Sequence, residues 1–433
     1  MNNIQQSLLN FHTKKTSDCI TSKSGLALFY ETALSFGLIQ YIDWIFPKSG
    51  SNRGIKARDY VMSIVLMLTG GGKYMEDVRH IKNDPGLCKL CSIKKVPSPD
   101  AVANWLKNTS NLSKLKKIIE FLNKCIIQKS IITDFTVDVD ATDIANEKEC
   151  SKMTYKGYKA NSVLLSFLSE LGLCVADTYR EGSAYAGNGI KDHILYVKKL
   201  LKPLNKNFRY LRSDSAGYNS EVMETCFENG IVFAIAADHD KAVNSAISDI
   251  PEESWKDLYY KDGVKSERQY ASFVHALNSS KNAFTMIVQR YEDKQQTVLF
   301  KEFRYKYYTI ATNDFERNHQ DVIHFYNARG NAENYNKELK DGFGLEHAPS
   351  KNLKSCDAFF KLGILAYNIS VAFKKIIAGG EWINKQIKTI RWQLIFIAGK
   401  VVRHSHQLLL KMSSQYLSPF NSLRNKIFEF AKT

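Results

Sequence analysis

At 433 residues, 44% of them hydrophobic and 24% charged, the chain has enough apolar material for a large core in two or three domains, which excludes a disordered tail. The formal net charge of +16 is uneven: +10 over residues 1–130, −5 over 131–349 and +11 over 350–433. Basic ends around a relatively acidic middle suit an enzyme that holds cations centrally and phosphate backbones peripherally.

Residues 1–130 read as a helical domain placed for DNA binding. Helix-length apolar periodicity covers 25–46 and 57–68, Ser98 caps a helix with Pro99 at its first position, and apolar residues repeat at three and four over 112–127. The stretch 98–106 has the form of part of a helix-turn-helix, although short helices joined by tight turns are common without DNA. The apolar run 61–68 is too short to span a bilayer, so no membrane segment is expected. Cys88 and Cys91 have the spacing of half a zinc site but no second pair nearby, and Gly70-Gly71-Gly72-Lys73 lacks the glycine spacing of a phosphate loop and reads better as a helix-ending turn. The eight cysteines are scattered and the start MNNIQQSLLNFHTKKTSD has no apolar leader core, so reduced thiols and a cytoplasmic location are expected.

From residue 131 the pattern changes. Phe135, Val137 and Val139 alternate with Asp134, Asp138 and Asp140, as in a strand ending in carboxylates. Strands follow at 162–167 and 173–179, then a helix at 191–201, a strand at 208–214, a helix at 220–228 and a strand at 231–237. Three antiparallel-type strands followed by alternating helices and strands predict an α/β fold, a ribonuclease H-like mixed-sheet catalytic core split between 131–237 and 313–378. Residues 238–312, with strand patterns at 283–288 and 305–312, read as an inserted β-rich subdomain. The flanking region 379–433 reads as basic and helical, with helices expected over 356–377 and 387–410.

The stretch 324–340, HFYNARGNAENYNKELK, carries Tyr326, Arg329, Glu333 and Lys340 at offsets of three, seven and fourteen. At about 100° per residue a single helix would hold all four within roughly a 60° arc, with Lys337 on nearly the same face. A solvated face with weak ion pairs produces the same spacing. Gly330, Asn331, Asn334 and Asn336 make the segment a poor helix former, however, so something beyond local propensity must favour the arrangement.

The pattern Tyr-(2)-Arg-(3)-Glu-(6)-Lys resembles the signature of the DDE transposases of bacterial insertion sequences. Residues 138–143 resemble that family's Asp-x-Thr first-acid motif, and 211–218 its second-acid motif. Ala366-Tyr367-Asn368 and a β insertion between the second and third acids are further shared traits. Residues 135–143 and Arg180-Glu181-Gly182-Ser183 are most similar to the branch typified by insertion sequence thirteen-eighty. The resemblance implies that Asp140, Asp214 and Glu333 are the catalytic carboxylates and hold two Mg²⁺ ions, for which Mn²⁺ can substitute. Asp138 faces the same way as Asp140 and is an alternative first acid; Asp140 is preferred because Thr142 then has the family spacing. Tyr326, Arg329, Lys337 and Lys340 are implied to bind DNA phosphates. The implied activity is cut-and-paste transposition on double-stranded DNA, both transposon terminal inverted repeats and target, by a homodimer or higher oligomer in a bacterial cytoplasm.

The residues permit this chemistry. Phosphodiester cleavage and strand transfer need an activated oxygen nucleophile, a stabilised leaving oxygen and neutralised equatorial charge, which two Mg²⁺ ions about 4 Å apart supply when hard carboxylates hold them. Asp140 and Asp214 each end a predicted strand. A single Asp at a strand end is ordinarily a turn or cap residue. Trp255 is open to two readings, a base-stacking platform or a core residue. A catalytically inactive DNA-binding protein derived from a transposase, or a metal-dependent nuclease of the same fold, would share much of this pattern.

Overall fold

The computed structural model describes residues 9, 11–47, 54–278, 280–292 and 305–432. A short strand, β1 (Ile20–Thr21), precedes helices α1 (Leu26–Ser35) and α2 (Leu38–Ile45). The periodicity presents these two as one helix; the chain breaks at Gly37, whose φ of +70° is a left-handed conformation that glycine tolerates. Next come α3 (Ala57–Thr69), α4 (Val78–Lys82), α5 (Pro85–Leu90), α6 (Pro99–Lys107) and α7 (Thr109–Lys129). As expected, Pro99 opens α6 and the Ser98 hydroxyl accepts the Ala101 N–H at 3.2 Å. Cys88 and Cys91 end up at the end of α5 with the Cys88 thiol directed to the Ile81 carbonyl oxygen, and no His, Cys, Asp or Glu cluster fit for a metal surrounds them among the described residues.

The alternating stretch is strand β2 (Asp134–Ala145). It is followed by β3 (Lys152–Met153), β4 (Lys159–Leu168), β5 (Leu173–Glu181), α8 (Ile190–Leu201), β6 (Asn207–Ser213), α9 (Ser220–Asn229) and β7 (Val232–Ala236). β2 pairs antiparallel with β4 and β4 with β5, while β6 lies parallel to β2 and β7 parallel to β6. This is the ribonuclease H-like mixed sheet that the order of elements predicts.

The expected insertion does not stand apart. After α10 (Lys241–Ser248), strands β8 (Lys256–Tyr259), β9 (Lys265–His275), β10 (Phe284–Glu292) and β11 (Tyr305–Thr312) join the core sheet, because β11 pairs antiparallel with β7 through Ile310↔Ala236. One ten-stranded sheet results, in the order β3-β4-β2-β6-β7-β11-β10-β9-β8 with β5 beside β4. β7 would otherwise present a row of unpaired backbone groups at a sheet edge, and β11 covers it. Trp255 is buried, with the Arg290 guanidinium 4.2 Å from its ring centroid, so it is a core residue and no base-stacking platform.

The remaining elements are α11 (His319–Asn327), α12 (Gly330–Lys337), α13 (Leu353–Val371), α14 (Ile387–Ile390), β12 (Gly399–His404), β13 (Gln407–Lys411) and α15 (Ser414–Lys432). The helix expected over 387–410 is thus mostly a hairpin. β12 and β13 pair through Arg403↔Leu408, the turn uses positive φ at Ser405 and His406, and β12 is held on its other side by β1 through Ile20↔Lys400. That partner lies almost the whole chain away, so no local pattern announces it.

The two ends of the chain share one core. α13 packs on α3, α6 and α7. Buried Arg391 donates to the backbone oxygens of Thr69 (2.7 Å) and Leu68 (2.8 Å) at the end of α3, and to that of Gly342. The first 130 residues are therefore not a detachable domain: deleting them would uncover α13. The stretch Leu353–Ala378 is long and apolar enough to cross a membrane, but 94% of its apolar window is buried inside the protein, which makes it a core helix.

On the opposite face of the sheet, α8 brings His193 against β4 and β5. Its ring nitrogens lie 2.8 Å from Ser166 Oγ and 2.9 Å from Thr178 Oγ1, and burial pushes its pKa down to about 4. The folded state keeps this imidazole neutral, whereas the unfolded chain protonates it near pH 6.5. Its contribution to stability is complete above that pH and is lost as pH falls toward 4, a drop of about 2 kcal/mol between pH 7 and pH 5. Denaturant unfolding at these two pH values is expected to show that decline, and His193→Gln is expected to flatten it.

Candidate active site

The parallel pairing of β2 with β6 sets Asp138 beside Arg212 and Val139 beside Ser213, so the following residues, Asp140 and Asp214, emerge together where the two strands end their pairing. Asp138 is fully buried. Its carboxylate accepts from Arg212 Nε at 2.6 Å and Nη2 at 2.9 Å. Arg212 also donates to Ser169 Oγ (2.6 Å) and to the Phe325 carbonyl oxygen (2.8 Å), and its guanidinium stacks 5.0 Å from the Phe325 ring centroid. Burial raises the Asp138 pKa, while Arg212 and Ser169 oppose the rise. The oxygens of Asp138 are engaged by Arg212, and the pair ties β2, β6 and α11 together.

Asp140 is mostly buried yet open to the site. Asn336 of α12 donates to its Oδ2 at 2.6 Å, and Arg329 Nη1 lies 3.7 Å from its Oδ1. Its pKa is pushed up to about 6, first by burial and then by the neighbouring charge of Asp214 and the more weakly felt Glu333, with Arg329 and Asn336 pulling the other way. Asp214 caps the turn 215–217, accepting the Ala216 N–H at 3.1 Å. Glu333 lies on the same side of α12 and accepts from Arg329 Nη2 at 2.8 Å, with its side chain 63% exposed. Burial works against the charge of Arg329, but Tyr326, Asp140 and Asp214 together hold its pKa above the usual range.

The single helix face expected for 324–340 is interrupted. α11 stops at Asn327, Ala328 and Arg329 form a turn, α12 begins at Gly330, and Glu338–Gly342 is a π-helical turn. A wider turn of this kind takes Lys340 off the arc that a uniform α-helix would give it. Lys340 is half-buried, and Lys337 is exposed. Tyr326 is 4% exposed, its hydroxyl accepts from Tyr308 at 2.8 Å, and its ring centroid lies 6.0 Å from the Arg329 guanidinium, which it buttresses. Sequence reasoning missed Asn336. The signal was present, because Asn336 lies seven residues after Arg329 and three after Glu333, a spacing that shares their face.

Hard carboxylate oxygens at Asp140 and Asp214 are the donor type that a divalent cation takes, and the mutual repulsion that raises Asp140 is what such an ion would relieve. Asn336 Oδ1 and Arg329 Nε are also buried without a hydrogen-bond partner among the described residues. The third acid does not complete a cage: among the described residues no three His, Cys, Asp or Glu side chains are gathered closely enough to hold an ion, because Glu333 is turned to Arg329. Asp140 and Asp214 lie together, whereas Glu333 is held by Arg329.

The family profile described as "Transposase DDE domain group 1" matches residues 9–429. The chain belongs to that family. It is a transposase of the DDE class, whose members generally use divalent metals. Among solved structures it is similar to a piggyBac transposase in a synaptic complex with hairpin DNA, at 12% identity and a TM-score of 0.47, over 93% of this chain and 85% of that one. No curated protein matches.

The two aspartates of β2 should respond oppositely to loss of charge. Asp138→Asn leaves Arg212 buried without its counter-ion and is expected to cost about 3–5 kcal/mol of unfolding free energy. Asp140→Asn removes a carboxylate already disfavoured by burial and by Asp214 and is expected to leave stability unchanged or slightly raised. Denaturant titration of both variants checks the pair.

Proposed function

We propose that this DDE transposase moves an insertion sequence by a cut-and-paste route, cleaving DNA at terminal inverted repeats and joining the freed ends to target DNA. The observation that carries the reading is the adjacency of Asp140 and Asp214, close enough that the charge of Asp214 adds to burial in raising the Asp140 pKa, with Arg329 3.7 Å from Asp140 and paired to Glu333 of α12. Asp140, Asp214 and, once released from Arg329, Glu333 would hold two Mg²⁺ ions. Bound there, such ions activate the attacking oxygen and stabilise the leaving one.

The protein's own groups do the positioning. Asn336 fixes the Asp140 carboxylate by donating to Oδ2, while Oδ1 lies 3.7 Å from Arg329 Nη1. Arg329 offers a planar donor fork that suits a phosphate bidentately, and a phosphate arriving there would compete for the bond that now ties up Glu333. Substrate binding and release of the third acid are thereby one event. Lys337 and Lys340 add point charges along the same helix. The acting species is a homodimer or higher oligomer on paired ends, working in the cytoplasm.

The test is cleavage and strand transfer on intact and pre-nicked end-containing duplexes at two Mg²⁺ concentrations. Glu333→Gln is expected to lower cleavage by orders of magnitude while end binding persists, because a neutral amide is a poor ligand for a hard cation. Arg329→Ala is expected to impair complex formation or cleavage accuracy, and Lys340→Ala to be milder and partly rescued at low salt. Cleavage without joining by the unaltered protein would make it a nuclease, and binding without either step an inactive derivative. Near-normal cleavage by Glu333→Gln would remove Glu333 from the site.

A further inference from the structure

Away from the acids, α4, α5 and the segment that follows them face the β12–β13 hairpin across a cleft of about 1300 Å³. Lys82 and Lys89 line it from the helical side, Lys94 and Lys95 from the segment after Ile93, and Arg403 and His406 from the hairpin. No Asp or Glu lines it, and neither do Asp140, Asp214 or Glu333. Lys82, Lys89, Lys94 and Arg403 are exposed and form no ion pair among the described residues.

Of the nearby carboxylates, Asp59 is buried and feels Lys94 more weakly than Arg58 and Lys56, and two others are engaged elsewhere. Asp84 is buried, accepting from the Thr21 hydroxyl at 2.6 Å and from the Leu87 N–H at 2.8 Å, and Asp18 pairs with Lys400. The hairpin register points Arg403 and its partner Leu408 to the cleft side together, so a cation is delivered onto an apolar wall. Like charges brought together from three separate segments repel one another unless a polyanion lies between them.

We propose that this cleft grips the phosphodiester backbone of duplex DNA at a distance from the chemistry, as a sequence-independent clamp closed by the hairpin. The inference rests on the reading of the chain as a DNA-acting transposase and adds the surface that holds the flanking duplex. Exposed lysines on different segments match a ligand with many evenly spaced charges, and each neutralised phosphate releases counter-ions.

The experiment measures binding of the whole protein to a labelled duplex several turns long by fluorescence anisotropy between about 50 and 200 mM salt. Lys82→Glu/Lys94→Glu/Arg403→Glu is expected to lower affinity at least about tenfold at the upper salt and to reduce the log–log salt slope by about 3, near 0.9 per lost contact. A control with the same change in net charge, Lys256→Glu/Lys261→Glu/Lys281→Glu, is expected to lose much less; these three residues are exposed and lie outside the cleft. Should the triple reversal fail to fold by its melting curve, Lys94→Gln/Arg403→Gln is read in the same way, with a slope reduced by about 2. Equal losses in cleft and control variants, or an unaltered slope in the cleft variants, overturns the clamp. So does polyglutamate competing as well as duplex at equal charge, which would make the occupant an acidic protein. Absence of any duplex binding by the unaltered protein instead removes the transposase reading itself.

Discussion

The placement of the site depends on one buried ion pair. Arg212 lies between two parallel strands with Asp138 as its counter-ion, and its remaining donors reach Ser169 at the end of β4 and the Phe325 carbonyl oxygen in α11. Desolvating both charges is expensive, and such a pair is sustained by further hydrogen bonds, of which Arg212 makes four in all. Asp140 and Asp214 stand two residues beyond the two members of this pair. Any slip of β2 against β6 would therefore unpair Arg212 at the same time as it separated the acids, so register at the site is enforced by a penalty incurred in the core.

What could be read from the sequence follows from how local each signal is. The alternation of Phe135, Val137 and Val139 lies within one strand, and the α8, α9 and β6 patterns within single elements, so the mixed sheet was legible. Asp214 directly after β6 was legible for the same reason; Asp140 was expected to end its strand, but β2 runs on to Ala145 and only its pairing with β6 stops at Val139. The alternation alone did not separate Asp138 from Asp140, because both point the same way; the partner across the strand, Arg212, gives them different surroundings. Tyr326 and Arg329 share a helical spacing, but the turn at Ala328 and Arg329 gives them different surroundings, one packed under Tyr308 and the other facing Asp140.

Long-range pairing accounts for the other differences. Strands β8 to β11 were recognisable as strands, yet nothing in their composition says that Ile310 will pair with Ala236 and extend the sheet. The apolar residues of β12 and β13 fit a helical spacing as well as a strand one over so short a run, and β1 decides between them. Arg391 is similar: it reads as a basic residue of a basic tail, but it is buried and spends its donors on the end of α3 and on Gly342. Part of the positive charge at the C-terminal side is thus internal glue, and the surface charge is more localised than the composition suggests.

The bond between Ile20 and Lys400 strands also sets a schedule for biosynthesis. At about 5–20 residues per second, β1 leaves the ribosome on the order of 20–80 s before β12 exists to pair with it. For most of that interval α3 and α7 lack α13 as well, and until its end the lysines of α4 and α5 face no hairpin. A nascent or prematurely terminated chain is consequently an open, incomplete object, and the finished protein acquires its internal order late and all at once.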